Sequence, residues 1–104
     1  MALLKVDIDK PYINTIGEVM ADLCERVELI ESNLRIKFKM KDYMSKGGNI
    51  HVVLETDAKL CDLEICCLQA ILGSDWIRET HNLHRIRRGQ RNWNILFEHE
   101  EVVV

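Results

Sequence analysis

The sequence predicts an α+β fold: a two-layer sandwich in which a four-stranded antiparallel sheet carries its helices on one face. Three observations predict it. Stretches of alternating apolar and polar residues recur near the start, in the middle and near the end of the 104-residue chain, and period two marks a strand with one buried face. Between them, apolar residues recur at three and four residues, the helical spacing. No repeat and no linker divides the chain, which holds one Pro and five Gly. A single domain over residues 1–104 is therefore expected.

The elements follow in order. Leu4, Val6 and Ile8 alternate with Lys5, Asp7 and Asp9, giving a first strand. Pro11 ends it and can open a helix. From Ile13 onward, Ile16, Met20, Leu23, Cys24, Val27 and Ile30 form one apolar stripe, and Ser32-Asn33 closes the helix. Leu34, Ile36, Phe38 and Met40 then alternate with Arg35, Lys37, Lys39 and Lys41, a second strand with one apolar and one basic face. Ser45-Lys46-Gly47-Gly48-Asn49 is turn chemistry. Ile50, Val52 and Leu54 mark a third strand, antiparallel to the second. Asp57 can cap a helix containing Leu60, Leu63, Cys67, Ala70 and Ile71. Gly73 can end that helix, and Ser74 can restart one through Trp76, Ile77, Leu83 and Ile86 to Gly89. A fourth strand is expected from about Trp93 to Phe97. The order β-α-β-β-α-β is that of a ferredoxin-like sandwich, with strands one and three central and strands four and two at the edges.

Charge and cysteine content narrow the classes. Fourteen Lys and Arg against 17 Asp and Glu give a net charge of -3, so bulk charge does not predict a nucleic-acid partner; only its distribution can. The four cysteines, at 24, 61, 66 and 67, lack zinc-site spacing. Cys66 and Cys67 in an apolar helical run read as small core residues. Residues 1–9 lack the pattern of a signal peptide, and no apolar run approaches the ~20 residues of a membrane span. A cytoplasmic protein with reduced thiols, without a membrane partner, is expected. No Gly-rich phosphate loop and no convincing nucleophile–base pair supports a P-loop enzyme or a hydrolase triad.

If the apolar alternates face the helices, the open sheet face receives Asp7, Asp9 and His51. Two carboxylates two residues apart on one strand face stand ~6–7 Å apart. Oxygen ligands so placed suit Mg²⁺ or Mn²⁺, which align phosphates in phosphoryl transfer. The plainer reading is a pair of solvated edge carboxylates. His51, central in the sheet, suits phosphate binding or acid–base work, or is a surface histidine. The fourth strand has two phases. One turns Asn94, Leu96 and Glu98 outward beside strand one; the other turns out Trp93, Ile95 and Phe97 as an aromatic platform. The first is preferred because it buries the larger side chains.

Two basic features stand apart from this patch. Arg35, Lys37, Lys39 and Lys41 on one strand face repel one another. Nucleic-acid phosphates would neutralise them, and edge protection is the alternative. Arg78, His81, His84, Arg85, Arg87, Arg88 and Arg91 make a basic segment in an acidic chain. Arg85 and Arg88 share one helical face able to grip a phosphate.

Leu4-Lys5-Val6-Asp7-Ile8-Asp9 resembles the first motif of archaeo-eukaryotic primases and primase-polymerases, a strand ending in Asp-x-Asp. Ser45 to His51 is similar to their second motif, a Ser/Gly turn leading to a strand-borne His. The stretches Leu72 to Arg78 and Asn92 to Phe97 resemble small phage and archaeal mobile-element proteins with such motifs. The resemblance implies an RRM-like palm in DNA replication. In it Asp7, Asp9, His51 and Glu98 are the catalytic set, and Asp7, Asp9 and Glu98 hold Mg or Mn. Arg35, Lys37, Lys39, Lys41, Arg85, Arg87 and Arg88 would then track nucleic acid. The chain departs from the family in the Ser-to-His spacing, in having Glu for the usual third Asp, and in its small size. It implies either a metal-dependent nucleotidyltransferase or a relative that lost catalysis and kept nucleic-acid or nucleotide binding. The alternative class is an interaction protein that homodimerises through its sheet.

Overall fold

A computed structural model describes residues 1–9, 15–46 and 49–94. Its elements are β1 (Ala2–Asp9), α1 (Ile16–Leu34), β2 (Lys39–Lys46), β3 (Asn49–Thr56), α2 (Asp62–Ile71) and α3 (Trp76–Arg87). The class is mixed α+β, with a three-stranded antiparallel sheet in the order β1-β3-β2.

The alternation read in β1 and β3 sets the register. Leu4 lies opposite Leu54, Val6 opposite Val52 and Ile8 opposite Ile50. These side chains face α1, where Val19, Leu23 and Ile30 complete the core. Leu68 and Leu72 bring the α2 end of the chain into the same core. Removing one such side chain from water contributes about 1.5–3 kcal/mol. Helix α1 begins at Thr15, whose hydroxyl accepts from Glu18 N at 3.1 Å while Glu18 accepts from Thr15 N, a reciprocal capping box.

The four-stranded ferredoxin-like sheet is corrected by the outer edge of β1. A fourth strand would pair there, but polar groups from the second half of the chain already occupy that edge. Lys5 N donates to Gln69 Oε1 at 2.8 Å and Asp7 N to Ser74 Oγ at 3.0 Å. Asp7 O accepts from Asp75 N at 2.6 Å, and Lys5 O from Arg78 Nη1 at 3.0 Å. Buried backbone groups need partners, and these side chains and the Asp75 main-chain N–H supply them without a strand. Trp93 is buried as expected, but Trp93 and Asn94 are not in a strand, and 95–104 lie outside the described residues.

The second strand also shifts. Ser32 and Asn33 do not close α1; each donates to Leu29 O from within the helix, at 3.1 and 2.8 Å. The helix ends instead at Arg35, in the left-handed region with φ 55°. Strand β2 starts only at Lys39, and a bulge between Met40 and Asp42 breaks its alternation. The basic residues at 35, 37, 39 and 41 therefore do not line one strand face. Further on, α2 is capped at Cys61 rather than Asp57. Gly73 follows α2 at φ 101°, the conformation that favours glycine, and Asp75 caps α3 through Ile77 N.

Helix α3 packs in the opposite sense from its apolar pattern. Glu79 and Asn82 are its buried residues, whereas Trp76, Ile77 and Leu83 are exposed. The cysteine expectation holds for Cys66, which is buried; Cys24, Cys61 and Cys67 are exposed, and all four are free. No helix among the described residues is long and apolar enough to cross a membrane.

Candidate functional site

The sheet face turned away from α1 carries Lys5, Asp7, His51 and Val53. Register places Asp7 directly opposite His51 and Asp9 opposite Asn49. His51 Nε2 lies 3.2 Å from Asp7 Oδ1, and Asn49 Nδ2 donates to the same oxygen at 3.1 Å. The imidazole is buried, with 6 % of its residue surface exposed.

Asp7 is held from two sides. Its carboxylate is fixed by β3 and its main chain by the α2–α3 turn, through Ser74 and Asp75. A side chain fixed at both ends loses little further freedom when it engages a ligand. Burial raises its pKa above the ordinary 3.8, more than His51, the Asn49 hydrogen bond and the Arg78 charge together lower it, and Asp9 adds to the rise. Its neighbour Asp9 is exposed at the end of β1.

At the outer edge of β1 lies a second polar cluster, centred on Glu79, which is 4 % exposed. Its carboxylate accepts from Ser74 Oγ at 2.7 Å, from Gln69 Nε2 and Asn82 Nδ2 at 2.9 Å each, and from Arg78. Cys66 Sγ contacts it at 3.5 Å. Burial and the adjacent carboxylate push the Cys66 thiol up to about 12. Asn94 joins the cluster to the β1 edge, donating to Gln69 Oε1 at 2.7 Å and accepting from Lys5 Nζ through its carbonyl at 2.9 Å. The residues that satisfy the edge of β1 thus converge on one carboxylate.

Comparison with protein-family models, curated proteins and solved structures finds no match to this chain.

Of the expected catalytic residues, the structure brings Asp7, Asp9 and His51 to one face; Glu98 lies outside the described residues. Among the described residues, no group of three or more His, Cys, Asp and Glu is gathered as a metal shell. Asp7 and Asp9 are the described carboxylates suited to a divalent ion there. The expected nucleic-acid residues scatter. Arg35 caps α1, Lys37 lies between α1 and β2, Lys39 faces Glu55, and Lys41 Nζ is 3.6 Å from Glu55 Oε2. Arg85 turns inward to Asn82 Oδ1 at 2.9 Å, whereas Arg87 and Arg88 are exposed. The sequence alone points to none of Gln69, Glu79 and Asn82, and it sets Asn94 outward on a fourth strand rather than on Gln69 and Lys5. One signal was available: Glu79 and Asn82 are spaced i, i+3, so they share a helix face.

Proposed function

We propose that the Asp7–Asp9–His51 face binds the phosphates of a nucleotide or nucleic acid, in a cytoplasmic protein. One observation carries the proposal. The register sets two carboxylates, an imidazole and the Asn49 amide on one sheet face, opposite the apolar core.

In this reading Asp7 and Asp9 seat Mg²⁺ or Mn²⁺, an ion whose chemistry is to neutralise and align phosphate oxygens. A cation there offsets the repulsion between the two carboxylates and the burial that disfavours Asp7 in its charged form. His51 holds the Asp7 carboxylate in place through Nε2. Exposed Arg87 and Arg88 extend the attraction along a nucleic-acid backbone. Nucleotidyl transfer is the stronger form of the proposal, and binding alone is the weaker.

The test is fluorescence anisotropy of a labelled single-stranded oligonucleotide with and without Mn²⁺, comparing the wild type with Asp7→Asn/Asp9→Asn. Metal-dependent binding that the double variant loses supports the site and justifies a nucleotide-incorporation assay. Binding indifferent to Mn²⁺ and to the substitutions assigns the affinity to the basic residues. No binding at low salt removes the proposal.

A further inference from the structure

The phosphate-binding reading uses β1, β3 and the end of α3, and it leaves the outer side of the α2–α3 pair unexplained. The two helices meet through Glu79, whose carbonyl lies 3.5 Å from Cys66 Sγ and whose carboxylate accepts from Gln69 Nε2. One flank of that contact is turned to β1: Gln69 on α2 accepts from Lys5 N, and Arg78 on α3 donates to Lys5 O. Helical spacing fixes what stands on the opposite flank. On α2 it is Leu63, Cys67 and Ala70; on α3 it is Trp76, Thr80 and Leu83. All six are exposed, with Trp76 at 73 %, Leu63 at 48 % and Leu83 at 38 %.

None of the six is charged, in a chain whose residues are 30% charged. Thr80 already donates its hydroxyl to Trp76 O at 2.8 Å, so covering it leaves no donor unsatisfied. An indole and two leucines without a charge among them have the composition of an interface centre, not of a solvated surface.

We propose that a second copy of this chain covers this patch, the two α2–α3 pairs facing each other across a two-fold axis. Charge gives the first reason: a strongly acidic or basic partner finds nothing to pair with here, whereas an uncharged face matches itself. Shape gives the second. With α3 antiparallel to its copy and the axis beside Thr80, Trp76 of each chain meets Leu83 of the other, and the small Thr80 at the centre lets the helices approach. Arg87, one turn past Leu83, then lies beyond the first residue of the neighbouring α3 and stays in solvent. Area gives the third. Of the ~250 Å² of a tryptophan, 73 % stays in water at Trp76, about 180 Å². Two such indoles supply about a third of the ~1,000 Å² that a specific interface needs, and the leucines with the helix flanks between them supply the rest. An interface at this lower limit is weak, so dilute solutions hold the monomer. The contact is isologous and closes at two copies. It uses neither the Asp7 face nor a sheet edge.

The experiment is sedimentation equilibrium of the wild type and Trp76→Glu from about 10 μM to about 1 mM, with iodoacetamide labelling followed in parallel. Trp76 is the first residue of α3, where a glutamate suits the helix dipole, and circular dichroism checks the fold. The wild type is expected to pass from monomer to dimer and no further, undiminished at high salt because no ion pair holds the contact. Trp76→Glu is expected to weaken the dimer at least about 30-fold. Labelling of Cys67 is expected to slow as the wild-type dimer forms, while Cys24 on α1 keeps its rate. A wild type that stays monomeric to the highest concentration overturns the proposal and leaves the patch to a different protein. Assembly beyond two copies overturns it too, as does a dimer in which Cys67 reacts as fast as in the monomer. A dimer that Trp76→Glu forms equally well is built elsewhere, the open sheet face included, and overturns it as well.

Discussion

Replacing Glu79 by alanine removes the acceptor on which the second half of the chain converges. The Arg78 and Glu79 side chains are 11 % and 5 % exposed, so the variant leaves a guanidinium buried without its carboxylate. Breaking a buried pair in this way costs about 3–5 kcal/mol. Gln69, Ser74 and Asn82 lose an acceptor as well, and each donor left unsatisfied costs about 1–3 kcal/mol unless it finds another partner. A loss of at least about 4 kcal/mol is expected, against a total stability of about 5–15 kcal/mol for a domain. At about 4–8 °C per kcal/mol, the midpoint falls by on the order of 15–30 °C. Urea unfolding followed by circular dichroism measures the loss and a thermal melt the midpoint, with Leu83→Ala on the exposed side of α3 as a control expected within about 0.5 kcal/mol. A Glu79→Ala loss below about 1 kcal/mol would refute the reasoning, for the cluster would then not hold the fold.

Three further outcomes follow from particular residues. Native alkylation with iodoacetamide should label the exposed Cys24, Cys61 and Cys67 and spare Cys66, whose thiol is buried and raised to about 12; mass spectrometry showing Cys66 modified before unfolding contradicts its placement. Because the pKa of Asp7 is raised in the folded state, the folded protein binds its proton first as pH falls, so this group adds stability between its folded pKa and 3.8 and withdraws it as pH rises. Asp7→Asn should therefore lose stability more steeply on acidification through that interval than the wild type, and parallel urea titration curves would count against the assignment. Gly73→Ala forces a side chain into φ 101°, with its Cβ 3.3 Å from Arg26 Nη1, and should cost about 1–3 kcal/mol; Gly89→Ala, at φ 75° with open space around it, should cost less, and equal losses would locate the strain elsewhere.

Much of the central fold was legible because one face of β1 and β3 is dry. Leu4, Val6, Ile50, Val52 and Leu54 reveal both the strands and their inward phase, and that phase alone predicts Asp7 and His51 on the other face. Their direct opposition follows from the pairing of Leu4 with Leu54 and Val6 with Val52, a register between segments some forty residues apart that no local pattern carries. The break after Ile71 was legible through Gly73. Local alternation misled where another force won: the stretch 34–41 alternates cleanly, yet α1 continues to Leu34, and a bulge interrupts β2 after Met40. On α3 the apolar residues suggested the buried side, but a carboxylate with four strong donors holds the helix by its polar side instead. The fourth strand was inferred from topology, and the β1 edge is already satisfied by side chains. Glu98 rested on that strand and lies outside the described residues.

That edge has a consequence for the order of events during synthesis. The hydrogen bonds that close it join residues 64, 67, 73 and 91 positions apart. A chain emerging from the ribosome can complete the pairing of β1 with β3 once Thr56 is free, but must hold the other edge of β1 open until Gln69, Ser74, Arg78 and Asn94 have followed. Through that interval the strand is a template for any extended segment nearby, including the same strand of a neighbouring nascent chain. Translational pauses between residues 56 and 94 would lengthen the exposure, and fragments ending in that interval should be more prone to aggregate than the full-length chain.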